Sequence, residues 1–297
     1  EELDPFPLCP RQPGIARRPL AAVFRLADQR DTLGQAIPQH VAVMPLRGCG
    51  CDEGKVLEPV PQDRHLRQDA AAGVAAANAA NRFSREIAPL IAPPTFRSAI
   101  AADDGIRTEQ TIEALQKLRP IFDKREGDVT VGNSCQVTDG ASALLVTSLA
   151  KAKNLGLEPL AIVRSTATAA LPPATMGLGP VHATPLALDR AGITMHDLDV
   201  VELNEAFAAQ VLGCIEAFAD DDYCRNVVGL EAALGQLDAS KVNVNGGAIA
   251  LGHPIAATGA RLVLTLAHEL RQQGARYGLA TLCIGGGQGQ AIVLEAA

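Results

Sequence analysis

The sequence has no Trp, and aromatics make up only 3% of its 297 residues. A core without large rings must be filled by aliphatic side chains, and Ala together with 27 Gly lets helices sit close on sheets. That composition leans toward a layered α/β protein of one large domain or two ordinary ones. No run of Lys and Arg is present, and the formal net charge is −7. A nucleic-acid or anionic-membrane surface is therefore not expected, although a local basic patch can still meet a polyanionic cofactor. No stretch approaches the ~18 apolar residues of a membrane span. The acidic start Glu1-Glu2-Leu3-Asp4 does not look like a signal peptide, so the expected location is soluble and cytoplasmic.

Cysteine is scattered and odd in number, with seven at positions 9, 49, 51, 135, 214, 224 and 283. That argues against a disulfide framework and for a reducing compartment. Cys49 and Cys51 lack the second pair that would complete a zinc site, and no metal is expected.

Residues 1–61 are rich in Pro and Arg and hold no sustained period; Leu20–Leu26 and His40–Leu46 read as short strands. Asp69–Phe83 is Ala-rich and helix-favouring. Asp103-Asp104-Gly105 reads as a turn, and Thr108 as the cap of a helix containing Thr111–Lys117. Asp128–Val131 holds β-branched residues, and Ala143–Thr147 predicts a short strand before a helix ended by Gly156. Strands and helices then alternate. Strands are expected at Leu160–Thr166, Asp199–Leu203, Tyr277–Ile284 and Gln290–Glu295. The intervening helices are Val181–Ala191, closed by Gly192, Glu205–Phe218, and Ile255–Gln272, whose apolar stripe includes Ile255 and Leu262.

Three short segments place polar groups at the ends of these elements. In Val200-Val201-Glu202-Leu203-Asn204-Glu205-Ala206-Phe207 a strand runs into a helix, and Asn204 sits where an N-cap belongs. Asn243 to Pro254 surrounds His253 with glycines, which let a ligand or backbone approach the imidazole; a loop-capping His is the plainer reading. Pro254 suits the first turn of the next helix. Cys283 ends a strand and is followed by Gly285-Gly286-Gly287, whose N–H groups can stabilise an oxyanion; a structural buried Cys is the alternative. A dinucleotide fingerprint fails here because Gln290 occupies the third glycine position.

Taken in order, Asn204-Glu205-Ala206-Phe207, Gly246–Pro254 and Cys283–Gly289 resemble the signatures of the thiolase family. Gly132–Ala141 and Met176–Val181 are similar to two further segments of it. The resemblance implies a layered αβαβα fold with two similar halves. It makes 160–297 the complete C-terminal half, 62–159 a partial N-terminal half with an inserted CoA-binding region, and 1–61 an unassigned remnant. It also implies an acyl-CoA acyltransferase that makes or breaks a carbon–carbon bond beside a thioester.

In that pattern Cys283 shuttles a proton, His253 polarises the thioester oxygen and Asn204 holds a water in the same oxyanion site. Gly285 supplies a backbone donor to a second oxyanion site. Acyl-CoA and CoA are the implied partners, with CoA as a substrate, no permanently bound cofactor, and a homo-oligomer expected. The family's nucleophile lies in a string like Arg-x-Cys-Gly-Ser-Gly well upstream. The only similar string here is Arg47-Gly48-Cys49-Gly50-Cys51, shortly before Gln62 and followed by Asp52-Glu53-Gly54. A thiolase-like protein that binds CoA or an acyl chain without catalysis, and a Cys–His–Asn hydrolase, are the competing readings.

Overall fold

A computed structural model describes residues 62–91, 97–107, 109–125 and 127–297, together with the strand Val23–Phe24. Its centre is a four-stranded sheet. The strands are β1 (Ala161–Ala170), β2 (Val200–Leu203), β3 (Tyr277–Ile284) and β4 (Gln288–Ala296). The order across the sheet is β1-β4-β3-β2; β4 runs antiparallel to both neighbours, while β2 and β3 are parallel. A parallel bridge from Val201 to Val242 carries the pairing one step beyond β2.

Alternation along these strands feeds two cores, one on each face. Val201, Leu203, Leu279 and Val293 enter one core with Leu188 and Phe218. Their neighbours Val200, Ala280 and Leu294 enter the other with Leu262, Leu266 and Leu270. The first core is covered by α4 (Gly179–Ala191) and α5 (Ala208–Ala219). The second is covered by α7 (Ile255–Gln273), whose wholly buried leucines each contribute roughly 1.5–3 kcal/mol. A sheet buried on both faces by helices is the three-layer arrangement that the alternating pattern predicts.

Small residues set the spacing between layers. A Cβ at Gly289 would collide with the backbone of Gly179, where α4 begins, and a Cβ at Gly278 would strike the Leu266 side chain. The β3–β4 hairpin turns on Gly286 and Gly287, at φ 89° and 92°, a region costly for side chains.

The preceding part of the chain wraps this unit. Helix α1 (Gln62–Ala79) packs Ala70, Ala71 and Val74 against α6 (Ala248–Leu251). Gly73 lies so close to Gly246 that a Cβ would sit 2.9 Å from its nitrogen. Two short helices follow, α2 (Ile112–Gln116) and α3 (Leu149–Asn154). Thr111 caps α2 by accepting from Ala114 N; Thr108 lies outside the described residues. Val23–Phe24, within the predicted Leu20–Leu26, pairs in parallel with Leu145–Val146. Leu90–Ile91 pairs antiparallel with Ala99–Ile100.

Several boundaries differ from expectation for local reasons. No strand forms at 128–131. Asn133 instead closes a tight loop, accepting from Thr130 N at 2.7 Å and donating to Asp128 O at 3.0 Å. Helix α5 starts at Ala208 rather than Glu205, because Ala208 N donates to Asn133 O and Ser134 bridges Phe207. Ile255 shares the stripe of Leu262 by period, yet its first-turn position leaves it 83% exposed.

Candidate active site

The site is assembled at the C-terminal ends of the parallel strands β2 and β3, where open α/β sheets place their ligands. Asn204 leaves β2 with its backbone N–H donating to Thr281 O at 3.0 Å. It is not an N-cap: the helix cap is Phe207, without any side-chain bond. The wholly buried Asn204 side chain instead reaches His253, with Nδ2 3.4 Å from Nε2. Its Oδ1 is buried with no hydrogen-bond partner among the described residues.

The segment that delivers His253 is fastened by polar groups. Asn243, at φ 47°, accepts from Leu203 N at 2.9 Å and donates to Leu203 O at 2.8 Å and to Glu205 Oε1 at 2.7 Å. The other oxygen of Glu205 accepts from Ile249 N at 3.0 Å. Glycine is required at 247 because a Cβ there would fall on the Glu205 carboxyl group. Gly252, at φ 99°, likewise yields its Cβ space to the Thr138 side chain.

His253 then stands between α6 and α7. Its Nδ1 is 2.7 Å from Thr258 Oγ1, and the Thr258 hydroxyl donates to Pro254 O at 3.1 Å. A hydroxyl has one proton to give. While Thr258 spends it on Pro254, Nδ1–H donates to Thr258 and the Nε2 lone pair faces Asn204. Burial, aided by the nearby Arg261 cation, lowers the His253 pKa, so the ring is neutral at pH 7. Pro254 is the residue before α7 rather than inside its first turn.

Cys283 lies near the end of β3, paired in register with Gly289. Burial raises its thiol to about 11, with its own backbone N–H pulling the other way and Cys135 adding a like-charge contribution. A thiol so placed stays protonated near neutral pH. Cys283 makes no hydrogen bond to His253 or Asn204 among the described residues. Strand pairing brings it to the same sheet edge: β2 and β3 run parallel, and Asn204 pairs beside Thr281. Gly285 follows on the exposed turn, with open space where a Cβ would be.

Cys135 was not singled out by the sequence reading. Its backbone N–H donates to Ala206 O at 3.0 Å, so the 133–138 segment runs from the start of α5 to the glycine before His253. The matched string Gly132–Ala141 held that signal without assigning a role. Thr258, Asn243 and Glu205 were missed as well; Asn243 and Glu205 meet across 38 residues, and Thr258, 5 residues from His253, is a single hydroxyl in a helix. Cys49 lies outside the described residues. Among the described residues no His/Cys/Asp/Glu cluster could hold a metal ion, and no helix is long and apolar enough to cross a membrane. A cavity of about 250 Å³ beside Phe83 and Ile87 is lined by none of the site residues.

The Asn204–His253 pair and the Cys283 strand end with its glycine turn lie at the same end of the parallel strands β2 and β3. Residues 67–150 match the thiolase N-terminal domain and residues 157–296 the thiolase C-terminal domain. The chain belongs to the thiolase family. It is 50% identical over 203 residues to a 3-ketoacyl-CoA thiolase of Yersinia enterocolitica, covering 68% of this chain and 47% of that protein. A 3-ketoacyl-CoA thiolase of Yersinia pestis matches with the same identity and coverage. The crystal structure of human mitochondrial 3-ketoacyl-CoA thiolase superposes with a TM-score of 0.70 at 38% identity, covering 80% of this chain and 55% of that one. The same human enzyme in complex with CoA gives 0.69 at 38% identity over the same coverage. The chain thus spans about half the length of the curated relatives it matches.

Proposed function

We propose that this chain acts as a thiolase-type acyl-CoA acyltransferase, cleaving or forming the carbon–carbon bond of a 3-ketoacyl-CoA. The observation that carries the reading is the Asn204–His253 pair at the β2–β3 edge where Cys283 ends. The similar human enzyme described in complex with CoA supports CoA as substrate. In keeping with the two family matches, 62–159 is read as part of an N-terminal thiolase domain and 160–297 as the C-terminal one.

In the cleavage direction a nucleophilic thiol attacks the 3-keto carbon and the C2–C3 bond breaks. The acyl group passes to that thiol, and acetyl-CoA leaves as its enolate. Neutral His253 takes the proton of the attacking thiol at Nε2 and then donates it as a hydrogen bond to the developing oxyanion. The orphaned Asn204 Oδ1 is the acceptor to which a water in that oxyanion site would donate. The protonated Cys283 thiol gives its proton to C2; the incoming CoA thiol restores it while taking the acyl group, and His253 returns its proton to the released nucleophile. The Gly285 N–H serves the second oxyanion site. The string most similar to the family's nucleophile segment is the one around Cys49, outside the described residues.

We also read the protein as cytoplasmic, without a permanently bound cofactor, and as a homo-oligomer; the exposed apolar residues Leu90, Ile91 and Ile100 support self-association. Mass spectrometry after incubation with 3-ketoacyl-CoA tests the activity. A thioester adduct on one cysteine, discharged by free CoA, is expected. If no cysteine is acylated and no acetyl-CoA forms while CoA still binds, the chain binds without catalysis and the proposal is lost.

A further inference from the structure

Alternate residues of a strand share a face, so Glu202 and Asn204 look the same way from β2 and its end. On α7, Thr258, Arg261 and Thr265 follow at spacings of three and four, which puts them on one face of the helix. The two faces meet in a line of polar contacts. Thr258 holds His253 Nδ1 at 2.7 Å, Arg261 Nη1 donates to Glu202 Oε2 at 2.9 Å, and Thr265 Oγ1 donates to Glu86 Oε2 at 2.7 Å. The Glu202 side chain is 0% exposed and that of Arg261 22%.

This ion pair is an odd choice for stability alone, because desolvating both ions opposes their attraction and an apolar pair of equal volume often does as well. It is also incomplete. Glu202 Oε1 and Arg261 Nη2 have no hydrogen-bond partner among the described residues, so the pair meets through one bond and not a fork. What the bond does achieve is registry. It fastens α7 to β2 one turn beyond Thr258 and two residues before Asn204, the residues that hold His253 from either side.

We propose that Glu202 and Arg261 are positioning residues for His253: their bond sets where α7 sits on β2, and so aligns the imidazole with Asn204. The inference rests on reading His253 as the group that meets the thioester. Arg261 also acts through its field. It is the second cause, after burial, of the lowered His253 pKa. Glu202 is raised to about 7, by burial first, with Arg261 opposing and Glu86 and Glu205 adding to the rise. Asp103, Glu86 and Glu205 also feel the Arg261 cation. Glu202 therefore still holds its proton where His253 titrates, so the Arg261 charge acts on the ring and Glu202 acts by holding Arg261 in place.

Loss of either partner must then misplace the imidazole, and loss of the Arg261 charge must also release its pKa. The test is an NMR titration of the full chain with ¹⁵N-labelled histidine, the His253 signal being assigned by its loss in His253→Asn. Arg261→Met should raise the His253 midpoint by about half a pH unit or more and cost the Nδ1–H signal of the Thr258 bond. Arg261→Lys, which keeps the charge, should stay near wild type in midpoint and keep that signal. Glu202→Leu, which removes the acceptor for Arg261, should lose the Nδ1–H signal, whereas Glu202→Gln, which keeps an acceptor, should retain it. An Nδ1–H signal that survives Glu202→Leu, or a midpoint unmoved in Arg261→Met, overturns the proposal. If circular dichroism shows Arg261→Met unfolded, Glu202→Leu against Glu202→Gln still decides. Acyl transfer is assayed separately: the expected signal losses in a chain without any acyl transfer keep the positioning pair and remove the thioester reading, whereas transfer with the His253 signals unchanged in every variant does the reverse.

Discussion

The two ring nitrogens of His253 face different partners, Thr258 on one side and Asn204 on the other. That division fixes which nitrogen can serve a substrate. Because its proposed contact strengthens as charge develops on the thioester oxygen, His253→Ala should cut kcat about 10²–10³-fold while leaving CoA affinity within a few-fold. Steady-state thiolysis beside a CoA titration checks this, and equal losses in both would remove the oxyanion role. Asn204, His253 and Cys283 were legible because each sits in a short string of unusual composition at an element end. Glu205 and Asn243 lie in those same strings, yet nothing local shows that they bond each other across 38 residues, and Thr258 is a single hydroxyl on an ordinary helix. Glu205 is informative here. In sequence it reads as the first residue of a helix, but it bonds Asn243 and Ile249, across the loop that leads to His253.

At the scale of elements, the closest approach is between α4 and the β3–β4 hairpin. Gly289→Ala would drive a methyl group into the Gly179 backbone, which has no flexible end to move aside. A loss of about 1–3 kcal/mol or more is expected, read as a lower urea midpoint at unchanged slope. Gly285→Ala, with open space around it, should cost far less. Strand and helix identities from residue 160 onward followed from period and from Gly at 192 and 274, both of which have positive φ. Boundaries did not. Helix α5 begins three residues later than its composition implies, because the 133–135 segment takes up the backbone groups of Ala206 and Ala208.

For the molecule as a whole, buried carboxylates couple stability to pH. Glu86 and Glu202 are both raised from 4.5 to about 7, with burial the leading cause in each. For an acid whose folded pKa exceeds its unfolded value, the folded state binds the extra proton in between. The stabilising contribution is full below about 4.5 and is lost as pH rises through about 7. Unfolding free energy should therefore fall across that window by up to roughly 3 kcal/mol for each group. Comparing wild type with the Glu86→Gln, Glu202→Gln double variant isolates the effect, and parallel curves would show that neither carboxyl group titrates abnormally. The apolar residues Val137 and Ile255, both strongly exposed, are chain neighbours of Thr138 and Pro254, through which the 132–140 segment approaches Gly252 and α7.

By itself the sequence determined the chemistry-bearing strings, their order, and the alternating pattern of a sheet covered on both faces. These are local properties: a β-branched run, a glycine past a helix end, a Cys before a glycine turn. The tertiary structure decided which of them meet. Asn204 faces His253 because β2 and β3 are parallel neighbours and Asn243 ties the returning loop to Leu203. Glu202 finds Arg261, on the helix packed over its strand, only because α7 lies along that face. Such pairings depend on packing between residues far apart in the chain, where side-chain period has nothing to say about partner or register.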